Sequence, residues 1–245
     1  MIDTKFNFRT EVPEGYDVDR YSRTLKRYHK SLWNKPLPCG TRFDLSDGPK
    51  SWCLYHKSDL GQFCLSSDSI VHSYMKFGKN NAVAYEKYWP GEEIMNQIGA
   101  NIFKDFRTNN GTISAHIIFP ANKIENKHTI NQARGVNRKI CDRFDLTLEC
   151  IRLFYDGKQS PLYGTLQRYK NFFNLFECFK GYIDFFLLQD LVDKDYRVKF
   201  FLEFDNFNRV PLPQNAKEYL DYKEKIDTFR ENRTKRIEEY INLDS

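Results

Sequence analysis

The feature that most constrains the fold is a change of hydrophobic periodicity along the chain. Three short segments, 41–45, 52–56 and 63–65 (the last with room to extend to residue 71), are separated by turn sequences rich in Ser, Asp, Gly and Pro. Segments of this kind are typical of antiparallel strands. After residue 136 the apolar residues recur every three or four positions, as they do on helices. These patterns predict an α+β domain with a small, mostly antiparallel sheet and a predominantly helical C-terminal half.

The remaining elements follow from the same patterns. Helices are predicted over 19–33, 92–107, 137–156 and 161–192, the last with room for a break near Lys180 and Gly181, and strands over 112–119 and 197–204. The strand at 112–119 is apolar at most positions, so we expect it at the centre of the sheet, covered on both faces. Residues 1–18 are expected to form an arm over the domain, and 215–243 a charged helix with a narrow apolar stripe. Since no linker divides the chain, residues 1–245 are predicted to be one domain.

Charge and cysteine content restrict the environment and the ligands. With 38 Lys and Arg against 33 Asp and Glu, the net charge is +5, which suits phosphorylated ligands but is mild for a nucleic-acid-binding protein. The six cysteines form no Cys-x-x-Cys pair, as expected of a reduced, cytoplasmic protein. No apolar stretch is long enough to cross a membrane, and the N-terminus has no leader pattern, so no membrane association is expected.

The segment from Thr129 to Gly135 is the first candidate site. Gly135 is expected to free the backbone at the N-terminus of the following helix, where unpaired N–H groups favour an anion. Arg134 and Arg138 would add bidentate contacts to phosphate or carboxylate groups. Together they predict a phosphate site.

Charged residues on the predicted helix 137–156 form the second candidate. Asp142, Asp145, Glu149 and Arg152 fall on one stripe at three- and four-residue spacing. Asp145 and Glu149 are the candidate acid and base, with Arg152 as an orienting and phosphate-binding group. Carboxylates at this spacing can also hold Mg²⁺, although no His or Cys spacing typical of a metal site is present. The alternative is a solvated, salt-bridged helix face.

Polar residues of the predicted sheet form a third candidate. His56 ends one strand, and Ser66–Ser69 follow the next. A histidine and hydroxyls at neighbouring strand ends could hold a ribose or position a nucleophile, so His56 is a further candidate catalytic residue. The simpler interpretation makes Ser66–Ser69 a helix cap or a turn.

Two polar residues follow an apolar run and are expected to be buried. Gln189 and Asp190 would then need partners, and Arg143 or Arg152 are the residues we expect to supply them.

Several segments together are similar to a known family. They are 27–33, 35–38, 65–69, 129–152 and 181–190. The chain resembles a family of prokaryotic proteins of about this length, classified as a domain of unknown function. The resemblance implies a single intracellular domain of bacterial or phage type, and it assigns no catalytic residue.

These observations predict an intracellular enzyme acting on a phosphorylated ligand, a nucleotide or a nucleic acid, in a bacterial toxin or phage-defence setting. One alternative is a non-catalytic interaction module, antitoxin-like or defence-associated, that presents the helix 215–243 to a protein partner. Another is a nucleic-acid binder without chemistry, which steep salt dependence would reveal.

Overall fold

The computed structural model describes residues 2–74 and 89–243, so Met1, residues 75–88 and residues 244–245 of the predicted domain lie outside the described part. The helices of the described residues are α1 (Val18–Tyr21), α2 (Arg23–Trp33), α3 (Gly91–Ile98), α4 (Ala100–Asn109), α5 (Ile130–Val136), α6 (Phe144–Tyr155), α7 (Tyr163–Arg168), α8 (Lys170–Asn174), α9 (Phe179–Phe185) and α10 (Ala216–Leu243). Short 3-10 turns lie at Phe8–Thr10, Ile113–Ala115 and Gln189–Leu191.

The sheet formed by the described residues has four antiparallel strands in the order β1-β2-β3-β4. They are β1 (Ser46–Asp47), β2 (Leu54–Ser58), β3 (Gly61–Ser69) and β4 (His116–Pro120). His56 lies opposite Phe63, and Ser67 lies opposite Ile118. The predicted α+β fold with an antiparallel sheet is therefore confirmed. The first strand is shifted, because the chain pairs at Ser46–Asp47 rather than over 41–45.

β4 is buried at all five positions but lies at the end of the strand order. The prediction of a central strand was therefore wrong in position, although it was right in burial. A buried strand edge needs partners for its backbone groups. Arg233 of α10 supplies one of them, because its guanidinium donates to the carbonyl of His116 at 3.0 Å, and also to that of Ser114, just before the strand, at 2.8 Å. At the first residue of β4, a side chain thus takes the place of a neighbouring strand.

Two predicted helices are each broken into two. Between α1 and α2, Ser22 has extended backbone angles, and its hydroxyl accepts a hydrogen bond from the Leu25 amide at 3.0 Å. It therefore caps α2 and ends α1. Between α3 and α4, Gly99 has φ +88°, a value that L side chains rarely adopt and that a continuous helix excludes.

The second half is helical, as expected, but more segmented. The helix predicted from residue 137 begins at Phe144, because Cys141 and Asp142 have φ values of +45° and +62°. The run 161–192 contains three helices, α7 to α9, instead of one. The segment 197–204 forms no strand beyond an isolated bridge between Val192 and Val198. The Phe201 amide donates instead to Asp145, at 2.9 Å, so it is not available to a sheet.

The C-terminal helix begins one residue later than predicted and packs on the rest of the domain. It contacts α3 and the turns at 113–115 and 189–191. Its inner face carries the predicted stripe, with one unexpected arginine: the buried residues are Tyr219, Tyr222, Ile226, Phe229, Arg233 and Ile237. At the other end of the chain, the N-terminal segment lies over the domain as predicted, with Phe8 fully buried against Tyr28.

Candidate active site

The short helix α1 places an aspartate over the sheet. The side chain of Asp17 caps the helix by accepting a hydrogen bond from the Asp19 amide at 3.0 Å, and Val18 anchors the helix in the core. α1 packs against β3, where the Ser67 hydroxyl donates to Oδ1 of Asp19 at 2.5 Å. The Asp19 side chain keeps 21% of its surface exposed. It is therefore fixed by the protein on one side and open to solvent on the other.

A directed chain of hydrogen bonds leads to this carboxyl group. The indole Nε1 of Trp33 donates to Nδ1 of His29 at 2.9 Å, and Nε2 of His29 lies 3.0 Å from the Ser67 hydroxyl. An indole can only donate, so Nδ1 accepts and the imidazole proton is on Nε2. Ser67 then accepts from His29 and must donate to Asp19. Oδ1 is thus always an acceptor, and a proton on the Asp19 carboxyl group is carried by Oδ2.

The environment makes Asp19 a weak acid. Burial, and then the neighbouring Asp17 carboxylate, raise the pKa of Asp19 to about 7, against the opposing hydrogen bond from Ser67 and the charges of Arg9 and His72. A carboxyl group with a pKa near neutrality can give up and take back a proton under ordinary conditions. Strong shifts of this kind are concentrated at functional sites.

His116, the first residue of β4, faces Asp19. Its Nδ1 lies 2.8 Å from the Thr112 carbonyl and donates to it, which leaves the lone pair on Nε2, 3.8 Å from Oδ1 of Asp19. Burial lowers the pKa of His116 to about 4; the hydrogen bond to Thr112 opposes this shift, and the charges of Arg9 and Arg233 add to it. The imidazole is therefore neutral at the pH at which Asp19 is half protonated.

Asp19 lines two cavities. One has a volume of about 290 Å³ and is also lined by Trp52, Ser66, Ser67 and Lys123. The other, of about 220 Å³, contains His116 together with Arg9, Arg107 and Asn110. Asp19 and His116 therefore form an acid–base pair on the wall of a small polar cavity.

The 220 Å³ cavity has two arginines on its wall. Nε of Arg9 donates to the Arg107 carbonyl at 3.0 Å, which holds the two residues together. Burial and the charge of Arg107 both lower the pKa of Arg9, and the carboxyl groups of Asp19 and Asp17 on the same cavity wall oppose this shift. Two half-buried cations in contact with one cavity repel each other, and an anion between them would relieve that repulsion.

The structure places Arg134 in the core, away from both cavities. Its side chain is fully buried and donates to Asp68 (2.7 Å), the Ser69 and Asp142 carbonyls (3.0 and 2.8 Å) and the Thr147 hydroxyl (3.2 Å). These bonds occupy the groups that were expected to bind phosphate. The helix N-terminus expected after Gly135 is also not formed, since Gly135 lies inside α5.

Asp142 belongs to the same buried cluster. It lies before α6, 3.3 Å from Arg134 and 2.9 Å from Nε2 of His72. Burial alone would raise the pKa of Asp142, but the charges of Arg134 and His72 hold it at about 2. This carboxylate is an ion-pair partner of the core.

Asp145 is fully buried at the start of α6. Arg143 binds its carboxylate with both Nε and Nη2, and the Phe201 amide donates to it. The remaining Arg143 nitrogen donates to the Pro211 carbonyl at 3.0 Å. This ion pair ties the loop 200–211 to α6, and it has no contact with either cavity.

Glu149 and Arg152 form the salt-bridged helix face that was the alternative interpretation. Arg152 donates to both oxygens of Glu149, at 2.8 and 2.7 Å, and to Asp156 at 3.0 Å. Asp145 and Glu149 thus share α6 without sharing a cleft, since each carboxylate is held by a different arginine.

The other two candidates also lie outside the cavities described above. His56 is buried between Phe43 and Phe63, and its Nδ1 is 3.0 Å from the Asp44 carbonyl. Burial lowers its pKa. Arg138 is exposed on the loop between α5 and α6. The serine segment of the same candidate does contribute to the site. Ser66–Ser69 belong to β3 rather than to a cap or a turn, and the Ser67 hydroxyl donates to Asp19.

The partner expected for Asp190 is also different. Arg236 of α10 binds both of its oxygens at 3.1 Å, instead of Arg143 or Arg152. The Gln189 side chain donates to Asp184, at 3.1 Å.

Sequence reasoning missed Asp19, His116, Arg9 and Arg107, which lie far apart in the chain. One local signal was present: Asp17 and Asp19 flank an apolar residue just before Ser22, a residue type that starts helices. That signal predicts a cap and not a pair with His116, because only the packing of α1 on β3 brings the two together.

Neither a metal site nor a membrane-spanning helix is found in the part of the chain that the structure describes. In residues 2–74 and 89–243, no three His, Cys, Asp or Glu side chains are grouped so that they could hold a metal ion. Over the same part of the chain, no helix is long and apolar enough to span a membrane.

The fold and the cavity define an α+β protein in which half-buried Asp19 and buried His116 lie beside two arginines. Comparison with known families matches residues 2–237 to a family of unknown function (DUF6994), and the chain belongs to that family. Neither the search of curated proteins nor the search of solved structures found a match.

Proposed function

We propose that the chain is an enzyme that carries out general acid–base chemistry on a phosphorylated ligand, with Asp19 and His116 as the reacting groups. One observation carries the proposal. A carboxyl group with a pKa of about 7 lies 3.8 Å from a neutral imidazole, on the wall of a cavity that also holds two arginines. Pairs of titratable groups whose environments push their pKa values apart are the usual acid–base assignments of enzymes.

The hydrogen bonds assign a role to each group. Protonated Asp19 carries its proton on Oδ2, since Oδ1 accepts from Ser67, and it can give that proton to a leaving group. The Nε2 lone pair of His116 can take a proton from a water molecule or a hydroxyl group, and its Nδ1–H stays anchored on Thr112. Hydrolysis and group transfer both require a proton donor and a proton acceptor, and here the two lie on the same cavity wall.

Arg9 and Arg107 are the residues we propose for the phosphate group. They line the cavity that contains Asp19, and their mutual repulsion favours an anion between them. This phosphate site replaces the one expected at Arg134 and Arg138. A nucleotide or a nucleic acid is the ligand class of this proposal, in keeping with the net charge of +5. We also propose a cytoplasmic location, because all six cysteines are free thiols, as is usual in a reducing compartment.

The interaction-module alternative has less support. It needs the helix 215–243 to offer a basic surface, but its central arginines are used internally. Arg233 is fully buried, Arg236 pairs with Asp190, and Arg230 donates to the Asn109 carbonyl. Their charges and hydrogen bonds hold α10 to the domain.

The test is a turnover screen of the full chain against nucleoside mono-, di- and triphosphates and a short RNA, with and without Mg²⁺, followed by chromatography of the products. Asp19→Asn keeps the shape of the side chain and removes the acid, so turnover should fall by about a hundredfold or more while the ligand still binds. Asp47→Asn is the matched control, because Asp47 is 70% exposed and pairs only with lysines at the surface.

Loss of ligand binding in Arg9→Met and Arg107→Met would support the phosphate site. Unchanged turnover in Asp19→Asn, or unchanged binding in both arginine variants, would refute the proposal.

A further inference from the structure

Among the polar side chains that line the 220 Å³ cavity, Asn110 is set apart by its lack of hydrogen bonds. Asn110 follows α4 and is only 2% exposed. Neither its Nδ2 nor its Oδ1 has a hydrogen-bond partner among residues 2–74 and 89–243. A buried amide that forms no hydrogen bond destabilises a fold, so such a group calls for an explanation.

Local structure does not supply that explanation. Asparagine is common after helices because it tolerates positive φ, but Asn110 has φ −84° and ψ 11°, which any residue can adopt. Its backbone amide completes α4 by donating to the Phe106 carbonyl at 3.3 Å, and any residue except proline could do this. The side-chain amide thus serves neither the backbone nor a neighbouring side chain.

The position of Asn110 connects it with the ligand. It lies three residues after Arg107 and lines the same cavity as Arg9 and Asp19. A bare anion cannot satisfy it, because Oδ1 needs a donor while Nδ2 needs an acceptor. The ligand must therefore bring a donor and an acceptor side by side, in addition to its charge.

We infer that Asn110 reads the edge of a nucleobase, so that the ligand is a free nucleotide with its base in the 220 Å³ cavity and its phosphate at Arg9 and Arg107. The adjacent donor and acceptor of a nucleobase match a carboxamide, as in the bidentate pairing of asparagine with adenine. Tyr16 lines the same cavity with 54% of its surface exposed, and its ring offers a stacking surface at the mouth. The placement of the phosphate at Arg9 and Arg107 rests on the proposed function, whereas the placement of the base rests on Asn110.

The experiment is isothermal titration calorimetry of the full chain with the four nucleoside monophosphates, ribose 5-phosphate and inorganic phosphate. The best nucleotide should bind at least about tenfold more tightly than ribose 5-phosphate, because only the nucleotide satisfies the amide. In Asn110→Leu, which keeps the branched shape and the number of heavy atoms but has no polar side-chain atoms, this preference should disappear while ribose 5-phosphate binds as before.

Stability distinguishes this role from a structural one. A buried amide that forms hydrogen bonds only with a ligand destabilises the ligand-free protein. Ligand-free Asn110→Leu should therefore melt at the same or a higher temperature than the wild type. A lower melting temperature would make Asn110 a structural residue and overturn the inference. Asn110→Asp gives a second variant: it replaces the donor by an acceptor and should also lose the base preference.

The outcomes separate the two proposals. Equal affinity of the wild type for nucleotides and ribose 5-phosphate, or a base preference that survives both variants, overturns the role of Asn110 and leaves the phosphate site standing. A base preference that is present while Asp19→Asn turns over as fast as the wild type overturns the proposed chemistry alone. If no nucleotide and no phosphate compound binds, both are overturned.

Discussion

Oδ1 of Asp19 and Nε2 of His116 lie 3.8 Å apart, and burial has reversed the usual order of their pKa values, to about 7 for the aspartate and about 4 for the histidine. Between these values both groups are largely uncharged, which is the state that a cavity with little solvent favours. A neutral carboxylic acid and a neutral imidazole therefore lie side by side, although their ordinary pKa values would make them an ion pair.

The reversed order of the pKa values of Asp19 and His116 can be measured directly. In an NMR titration with labelled aspartate and histidine, the Asp19 carboxyl carbon should titrate near pH 7 and the His116 ring near pH 4. Asp47 is the internal control, because hydrogen bonding and charge from Lys26 lower its pKa. An Asp19 resonance that titrates near the ordinary value for aspartate would contradict the structure.

Asp19 should also make stability depend on pH. Its folded pKa lies above its unfolded value, so the folded state binds the extra proton, and the resulting stabilisation is complete below about pH 4 and lost as the pH rises to about 7. Relative to Asp19→Asn, the wild type should lose roughly 2–4 kcal/mol of unfolding free energy across this window. Urea unfolding of both proteins at pH 4, 5.5 and 7.5 tests this. A constant difference between them would refute it.

The hydroxyl group of Ser67 lowers the pKa of Asp19. Its hydrogen bond favours the charged carboxylate, so Ser67→Ala should raise the pKa of Asp19 above 7, by about one unit. The same NMR titration measures the shift. Ser69→Ala is the control, because the Ser69 hydroxyl donates to the Val71 carbonyl instead. A decrease in the pKa of Asp19 in Ser67→Ala would show that the carboxyl group is held in another way.

Arg134→Met should destabilise the fold by about 3–5 kcal/mol, because it removes the buried cation that Asp68 and Asp142 share and leaves Asp142 with His72 alone. Arg138→Met, on the exposed loop, should change stability by less than about 0.5 kcal/mol. Urea unfolding compares the two. If Arg134→Met folds as stably as the wild type and instead loses phosphate binding, Arg134 is a ligand-binding residue after all.

Arg233 should matter more than its neighbour Arg236. It is fully buried and donates to the carbonyls of Ser114, His116, Phe186 and Leu187, all of which lose a donor in Arg233→Met. We expect a loss of about 3 kcal/mol or more. Arg236→Met removes a half-exposed ion pair with Asp190 and should cost about 1 kcal/mol or less. Equal losses in urea unfolding would contradict the proposed covering of the β4 edge.

The spacing of hydrophobic residues and the residues typical of turns were sufficient to predict the α+β architecture. The spacing of Tyr219, Tyr222, Ile226 and Phe229 predicted the inner face of α10, and the turns near Gly48 and Gly61 predicted the antiparallel strands. These features are local, so they can be seen in a single sequence. Where each helix stops was less predictable, since the positive φ at Asp142 reflects its contacts with Arg134 and His72.

The candidate site was decided by the tertiary structure. In the sequence, Arg134, Asp145 and Glu149 look like an active site because they are charged and close together, but each is neutralised by a partner. Tertiary packing brings Asp68 to Arg134, whereas Asp145 and Glu149 pair with arginines two and three residues away in the chain. Asp19 and His116 are separated by almost a hundred residues, and neither looks exceptional alone. A pKa is set by burial and by neighbouring charges. The sequence therefore determined which groups are present, and only the fold determined which of them can exchange a proton.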